Sequence, residues 1–199
     1  MLSLGMVIKA VKILVLAIEV ADKVITIAQK AGLIRNTQDV SELGAKALKG
    51  KEMGIEEPEE LSKYNEYLKE IDELPITPEE IAKYGEIEKK EAGAKLLIKA
   101  LDSVFPDVQN LVKFLVDVKE NPGFYTTARM EEYLKLSSEQ KVDMEDIVKY
   151  LNGGFDEDAN GMTKYRRLQE LLKKVESKLE PEEGRISLED EVERREAMR

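Results

Sequence analysis

The chain has 199 residues, with 31 Lys and Arg set against 41 Asp and Glu, for a formal charge of −10. It contains no His, Cys or Trp, which excludes disulfides, cysteine nucleophiles, Cys/His zinc sites, Ser-His-Asp triads and histidine acid–base chemistry. An apolar share of 42% suffices for a core and excludes wholesale disorder, while the acidic balance argues against duplex nucleic acid and anionic lipid as partners.

Taken in chain order, the first element is a long apolar helix. Between Met6 and Ala31 the polar positions are Lys9, Lys12, Glu19, Asp22, Lys23, Thr26, Gln29 and Lys30, which trace one narrow stripe at helical spacing. A helix apolar around most of its girth is surrounded by other helices, so it is expected at the centre of a bundle, ended by Gly32. Its longest unbroken apolar run, Ile13 to Ile18, is six residues, far short of the ~20 that a membrane span needs. No export signal is convincing, so a cytoplasmic location is expected.

Val40 to Met53 reads as a short or mobile helix, weakened by Gly44, Gly50 and Gly54. Pro58 is expected to open the next helix at its first position, with Leu61, Tyr64, Leu68 and Ile71 inward. Thr77-Pro78-Glu79-Glu80 is a capping box and the clearest helix start in the chain. That helix is expected to reach Val104, with Ile81, Tyr84, Ile87, Ala94, Leu97, Ile98 and Leu101 inward. Pro106 starts another, stopped by Asn121-Pro122-Gly123. Thr126 or Thr127 caps a helix to Leu136, a further one spans Asp143 to Leu151, and a last long helix runs from Thr163 to Leu179. The expected fold is all-α: a single irregular helical bundle of about seven or eight helices around the apolar N-terminal helix, over residues 1–180. Residues 181–199, rich in Glu and Arg, are expected as a charged, flexible tail with at most a short helix at Leu188–Arg195.

Charge is unevenly spread. Residues 51–80 hold 3 Lys against 11 Asp and Glu, a net −8. The plain explanation is a solvated helix face; the functional one is a docking surface for a basic protein partner. The candidate partner-binding residues are Glu56, Glu57, Glu59, Glu60, Glu66, Glu70, Asp72 and Glu73.

One stretch has the look of a metal site. Phe155-Asp156-Glu157-Asp158-Ala159-Asn160-Gly161 lies between two expected helices and resembles the first half of an EF-hand calcium loop. The resemblance assigns ligand roles to Asp156, Asp158 and Asn160, the sharp bend to Gly161 and a carbonyl ligand to Met162. The second half of a 156–167 loop departs from that pattern: Thr163 and Lys164 occupy positions eight and nine, and Arg167 stands where a bidentate Glu should close the shell. Asp, Asn and Gly are also ordinary residues of helix–helix turns.

Tyr125–Leu136 followed by Asp143–Leu151 has the outline of a helix-turn-helix, but Asp143-Met144-Glu145-Asp146 would set acids against phosphates. Pairs such as Glu56-Glu57, Glu59-Glu60 and Glu79-Glu80 are explained by polar faces and helix first turns. Arg166, Arg167, Lys173 and Lys174 form a small basic patch, expected to pair with Glu170 and Glu176. The resulting expectation is a non-catalytic acidic helical protein that binds another protein, as an adaptor, escort or immunity-type inhibitor, with no cofactor. The alternative is a calcium-responsive protein acting through the 156–167 loop.

Overall fold

The computed structural model describes residues 15–155, 159–180 and 184–198. The described chain is all-helical, with no strand among these residues. Its helices are α1 (Ala21–Lys30), α2 (Val40–Glu52), α3 (Leu61–Glu73), α4 (Pro78–Ala82), α5 (Glu86–Val104), α6 (Leu111–Glu120), α7 (Thr127–Gln140), α8 (Met144–Leu151), α9 (Ala159–Glu176) and α10 (Leu188–Ala197). Residues 15–19 are helical ahead of α1. That is more helices than the seven or eight expected, because the expected Thr77–Val104 helix is divided in two and the segment after residue 180 adds α10. They sort into two compact units, the first ending at Pro106 and the second beginning at Asp107.

In the first unit, α1 is apolar for the reason its stripe implies. Val24, Ile25, Ile27 and Ala28 are buried, as are Leu16, Ala17 and Val20 before it; each large side chain so buried stabilises by roughly 1.5–3 kcal/mol. The Met6–Leu14 part of the expected helix lies outside the described residues. The end at Gly32 is as expected. Gly32 takes φ +72°, its N–H donates to Gln29 O, and the Leu33 N–H donates to Ala28 O. That paired closure needs a left-handed residue, which glycine adopts at no steric cost.

The element that α1, α2 and α3 all pack against is α5. Its crossing with α2 is a backbone-to-backbone approach. A Cβ at Gly44 would stand 1.7 Å from Lys89 O, and one at Gly93 would stand 2.1 Å from Val40 O. Gly44 is therefore no weakness of α2; it is the condition for the crossing. Asp39 caps α2 by accepting from the Glu42 N–H at 2.9 Å.

Pro58 precedes α3 without opening it; the N-cap is Glu60. Tyr64, Leu68 and Ile71 face inward as expected, whereas Leu61, expected with them, lies exposed in the first turn. The capping box is present: Thr77 Oγ1 accepts from the Glu80 N–H at 3.3 Å, and Glu80 Oε2 accepts from the Thr77 N–H at 2.9 Å. The helix it starts ends at Ala82, because Gly85 is extended at φ −61°, ψ 143° and becomes the N-cap of α5. Ile87, expected inward, is 77% exposed.

In the second unit, Asp107 and Asn110 turn through left-handed conformations, so α6 begins at Leu111 rather than at Pro106. Thr126 caps α7 by accepting from the Arg129 N–H at 3.2 Å, and Asp143 caps α8. α6 packs on α8, α9 on α7 and α8, and α10 on α8. The segment expected as a tail thus carries a packed helix, α10, in which Leu188, Glu191 and Arg195 are buried.

Candidate functional site

The first unit carries an open groove of about 630 Å³, within the range of ligand and side-chain receptor sites. Ala47, Leu48 and Lys51 of α2 form one wall, Glu88, Glu91, Ala92, Lys95 and Leu96 of α5 another, and Tyr67 of α3 a third. Residues Gly54 to Glu57 close one end. Gly54 sets that end. At φ +82° it terminates α2, and the Ile55 N–H donates back to Gly50 O, which delivers Ile55, Glu56 and Glu57 to the groove.

The floor is apolar, with Leu48, Ile55, Ala92 and Leu96, while four carboxylates and two ammonium groups line it alongside. Glu57 is joined to Lys99 of α5, whose Nζ also lies 5.4 Å from the Tyr64 ring centroid. Glu56, Glu88 and Glu91 are exposed and carry no ion pair among the described residues. The Tyr67 phenol is pushed up by burial, then by the charges of Glu57 and Glu70. The local field is therefore negative and favours a cationic group. Two large apolar side chains lie exposed beside these residues in sequence: Met53 next to Gly54, and Ile87 next to Glu88.

The eight sequence-predicted partner-binding residues divide. Glu56 and Glu57 line the groove. Glu59 and Glu60 are exposed ahead of α3, with Glu60 paired to Lys63 at 3.2 Å. Glu66, Glu70 and Glu73 are exposed on α3 at helical spacing, on one side of it. Asp72 departs from the expectation. It is 2% exposed, and its carboxylate accepts from the N–H groups of Arg35 and Asn36 at 2.6 and 2.9 Å and from the Thr37 hydroxyl at 2.6 Å. The buried Lys46 Nζ donates to the Asp72 carbonyl at 2.8 Å and to Thr37 Oγ1 at 3.1 Å. Asp72 is thus a clasp between α3, α2 and the loop after α1, one residue around the helix from the solvated face.

Asp156 and Asp158 lie outside the described residues, and Asn160 is exposed. α9 begins at Ala159, so Asn160, Gly161 and Arg167 stand in a helix rather than in a twelve-residue loop. Among the described residues, no group of three or more carboxylates converges to hold a metal ion.

Sequence reasoning missed Glu88, Glu91, Lys51 and Lys95, which meet in the groove only because α2 and α5 cross at glycines. It also missed the charged interior of the second unit. Arg129, 0% exposed, donates to Glu176 at 2.8 and 2.6 Å, to Ile186 O at 2.9 Å and to Phe124 O. Its guanidinium stacks 4.0 Å from the Phe124 centroid. Tyr133 donates to the same Glu176 at 3.1 Å, and burial pushes that phenol well up, reinforced by the Glu176 charge. The expected pairing of the basic patch with Glu176 is therefore replaced by a buried pair with Arg129. Among the described residues no helix is long and apolar enough to cross a membrane. Compared with known protein families, with curated proteins and with solved structures, the chain matches none of them.

Proposed function

We propose that this chain is a non-catalytic docking protein that receives a basic, partly apolar segment of another protein in the groove between α2, α3 and α5. The observation that carries the proposal is the combination at one place of an apolar floor and unpaired carboxylates. Leu48, Ile55, Ala92 and Leu96 offer area to bury, and Glu56, Glu88 and Glu91 lie beside it without cationic partners among the described residues. Helix-lined grooves of this type receive amphipathic segments through apolar anchors, while surrounding charges steer and orient them. Lys51 and Lys95 lie among the carboxylates, so recognition depends on where the partner places its cations rather than on bulk charge.

The test is a pull-down from the native host with the tagged full chain, run with calcium and with chelator. Beside it runs the triple variant Glu56→Lys/Glu88→Lys/Glu91→Lys, checked for unchanged helicity. A stoichiometric partner on the parent chain in both arms, lost from the variant, is the expected result. Equal retention by the variant refutes docking at the groove.

A further inference from the structure

In the second unit the C-terminal helix α10 is held by a guanidinium more than by apolar surface. Of its ten residues only Leu188, Glu191 and Arg195 are buried, and two of these are charged. Arg195 Nη1 donates to Asp117 Oδ1 at 2.7 Å and to Asn152 Oδ1 at 3.1 Å, while Nη2 donates to Asp117 Oδ2 at 3.0 Å. This is the two-pronged pairing that a planar guanidinium makes with a carboxylate and an ammonium cannot copy. The guanidinium carbon also lies 5.8 Å from the Phe124 ring centroid, within cation–π range.

The receiving side is built without α10. Tyr125 donates its hydroxyl to Asp117 Oδ2, and Asn121 Nδ2 donates to Asp117 Oδ1 at 3.2 Å. Tyr125 is itself fixed, packed edge-on against Phe114 at 5.3 Å and Phe124 at 5.0 Å. Asn152 belongs to the turn after α8, and Phe124 to the turn between α6 and α7. The carboxylate and the ring beside Arg195 are therefore oriented by residues of the body of the unit, which is the preorganisation a binding site requires.

Besides the buried Leu188 side chain and the Ile186 carbonyl that accepts from Arg129 at 2.9 Å just ahead of the helix, the polar ties of α10 are few and exposed. Arg194 Nη2 reaches Asn121 Oδ1 at 2.7 Å, and Lys173 meets Glu189 at 3.5 Å in an exposed pair; contacts of this kind in water contribute little. The remaining carboxylate on Arg195 is Glu191, at 2.6 Å from Nε, and it belongs to α10 itself. An arginine from elsewhere thus finds Asp117 and Asn152, the two acceptors that the body of the unit supplies to Arg195, while Glu191 leaves with α10. What favours Arg195 is its high effective concentration as part of the same chain.

We infer that Asp117, Asn152 and Phe124 form a guanidinium-binding socket on the second unit, filled in this chain by Arg195 of α10, which an arginine side chain of a protein partner takes over by displacing that helix. α10 is then a plug, and a partner arginine is recognised only in exchange for it.

The experiment is chemical complementation of the full-length Arg195→Ala chain with ethylguanidinium, followed by hydrogen exchange of residues 188–197 and 111–120. Breaking a buried pair of this kind is expected to speed exchange of α10 about a hundredfold. Millimolar ethylguanidinium is expected to stabilise residues 111–120 of the Arg195→Ala chain at least tenfold, with ethylammonium inactive and with no effect in Asp117→Asn/Arg195→Ala. On the parent chain, a short peptide carrying one arginine is expected to speed exchange of residues 188–197 alone, while its lysine counterpart does not. Equal action of ethylammonium overturns the socket, as does unchanged protection of α10 in Arg195→Ala. Should Arg195→Ala fail to fold, Arg195→Lys, which keeps the charge but not the fork, replaces it in every arm. Failure of peptide displacement on the parent chain overturns the exchange.

Discussion

The crossing of α2 with α5 makes the sharpest stability prediction, through Gly44→Ala. The added Cβ would stand 1.7 Å from Lys89 O, 2.6 Å from Lys89 C and 2.9 Å from Gly93 N. All three are backbone atoms, so no rotamer change relieves the overlap. An ordinary carbon–oxygen contact needs about 3.3 Å, so one helix must retreat by roughly 1.6 Å. A gap of only 0.5–1 Å already forfeits about a quarter to a half of the dispersion energy across a packed seam. The interior is too closely packed to absorb the rest elsewhere. The intrinsic preference of a helix for Ala over Gly returns about 1 kcal/mol. The net loss is expected at about 2–3 kcal/mol, near the top of the usual range for overpacking.

Gly50→Ala on the same helix is the comparison. There the Cβ meets Ile71 Cδ1 at 2.6 Å and Leu74 Cδ1 at 3.3 Å, which are movable ends of side chains. That variant is expected within about 1 kcal/mol of the parent, since rotamer adjustment costs about what the better helix propensity returns. Urea unfolding followed by far-ultraviolet circular dichroism measures both, and hydrogen exchange over residues 40–52 and 86–104 assigns the loss to the seam. At roughly 4–8 °C per kcal/mol for a unit of this size, Gly44→Ala should also melt about 8–24 °C lower. If it is as stable as Gly50→Ala, the close backbone approach is not how these helices pack.

Two further outcomes follow from buried and capped charges. Burial alone would raise the Asp72 carboxyl, but the Thr37 hydroxyl, the Arg35 and Asn36 N–H groups and the Lys46 charge together hold it below its ordinary 3.8. A lowered carboxyl stabilises above its unfolded value and loses that contribution as pH falls through the folded one. Asp72→Asn is therefore expected to cost about 2–3 kcal/mol near neutral pH and to narrow its gap from the parent below pH 3.8; urea midpoints between pH 2 and 7 decide it, and a gap independent of pH contradicts the clasp. For calcium, Asn160 and Gly161 sit in the first turn of α9, so ligation there has to unwind helix. Millimolar calcium chloride is expected to leave helicity and melting temperature unchanged; a saturable rise in melting temperature, abolished in Asp156→Ala, would restore the loop as a cation site.

Local signals were legible wherever chemistry and geometry share the same few residues. The Thr77–Glu80 capping box, the Gly32 stop, the start of α7 at Thr126 or Thr127 and, apart from the exposed Leu61, the inward face of α3 follow from spacing alone, because each is closed within one or two turns. Gly44 and Gly85 show where this ends. Both look like weak helix formers, yet one is the contact point of two helices and the other is an N-cap that divides a helix. Only the identity of the packing partner distinguishes them, and that is a long-range fact. The groove was half legible for the same reason: Glu56 and Glu57 announce themselves in an acidic run, whereas Glu88 and Glu91 join them through the crossing at Gly44 and Gly93.

Charge misled in one systematic way. A surplus of Asp, Glu, Lys and Arg suggests solvent, and for Glu66, Glu70 and Glu73 that inference holds. Asp72, Asp117, Arg129, Glu191 and Arg195 are buried in the same chain, each with partners 35 or more residues away or one turn along its own helix. A buried charge is tolerable only when nearly all its hydrogen-bonding capacity is met, as it is for Arg129 by Glu176, Ile186 and Phe124. Such matching demands one geometry, and apolar contacts alone would accept several. The apolar pattern can therefore specify that α10 is a poor core helix, which is why it reads as a tail. The fork between Arg195 and Asp117 supplies the most directional of the contacts that specify where it rests, and removing that fork should loosen α10 while leaving the aromatic cluster of Phe114, Phe124, Tyr125 and Tyr133 packed.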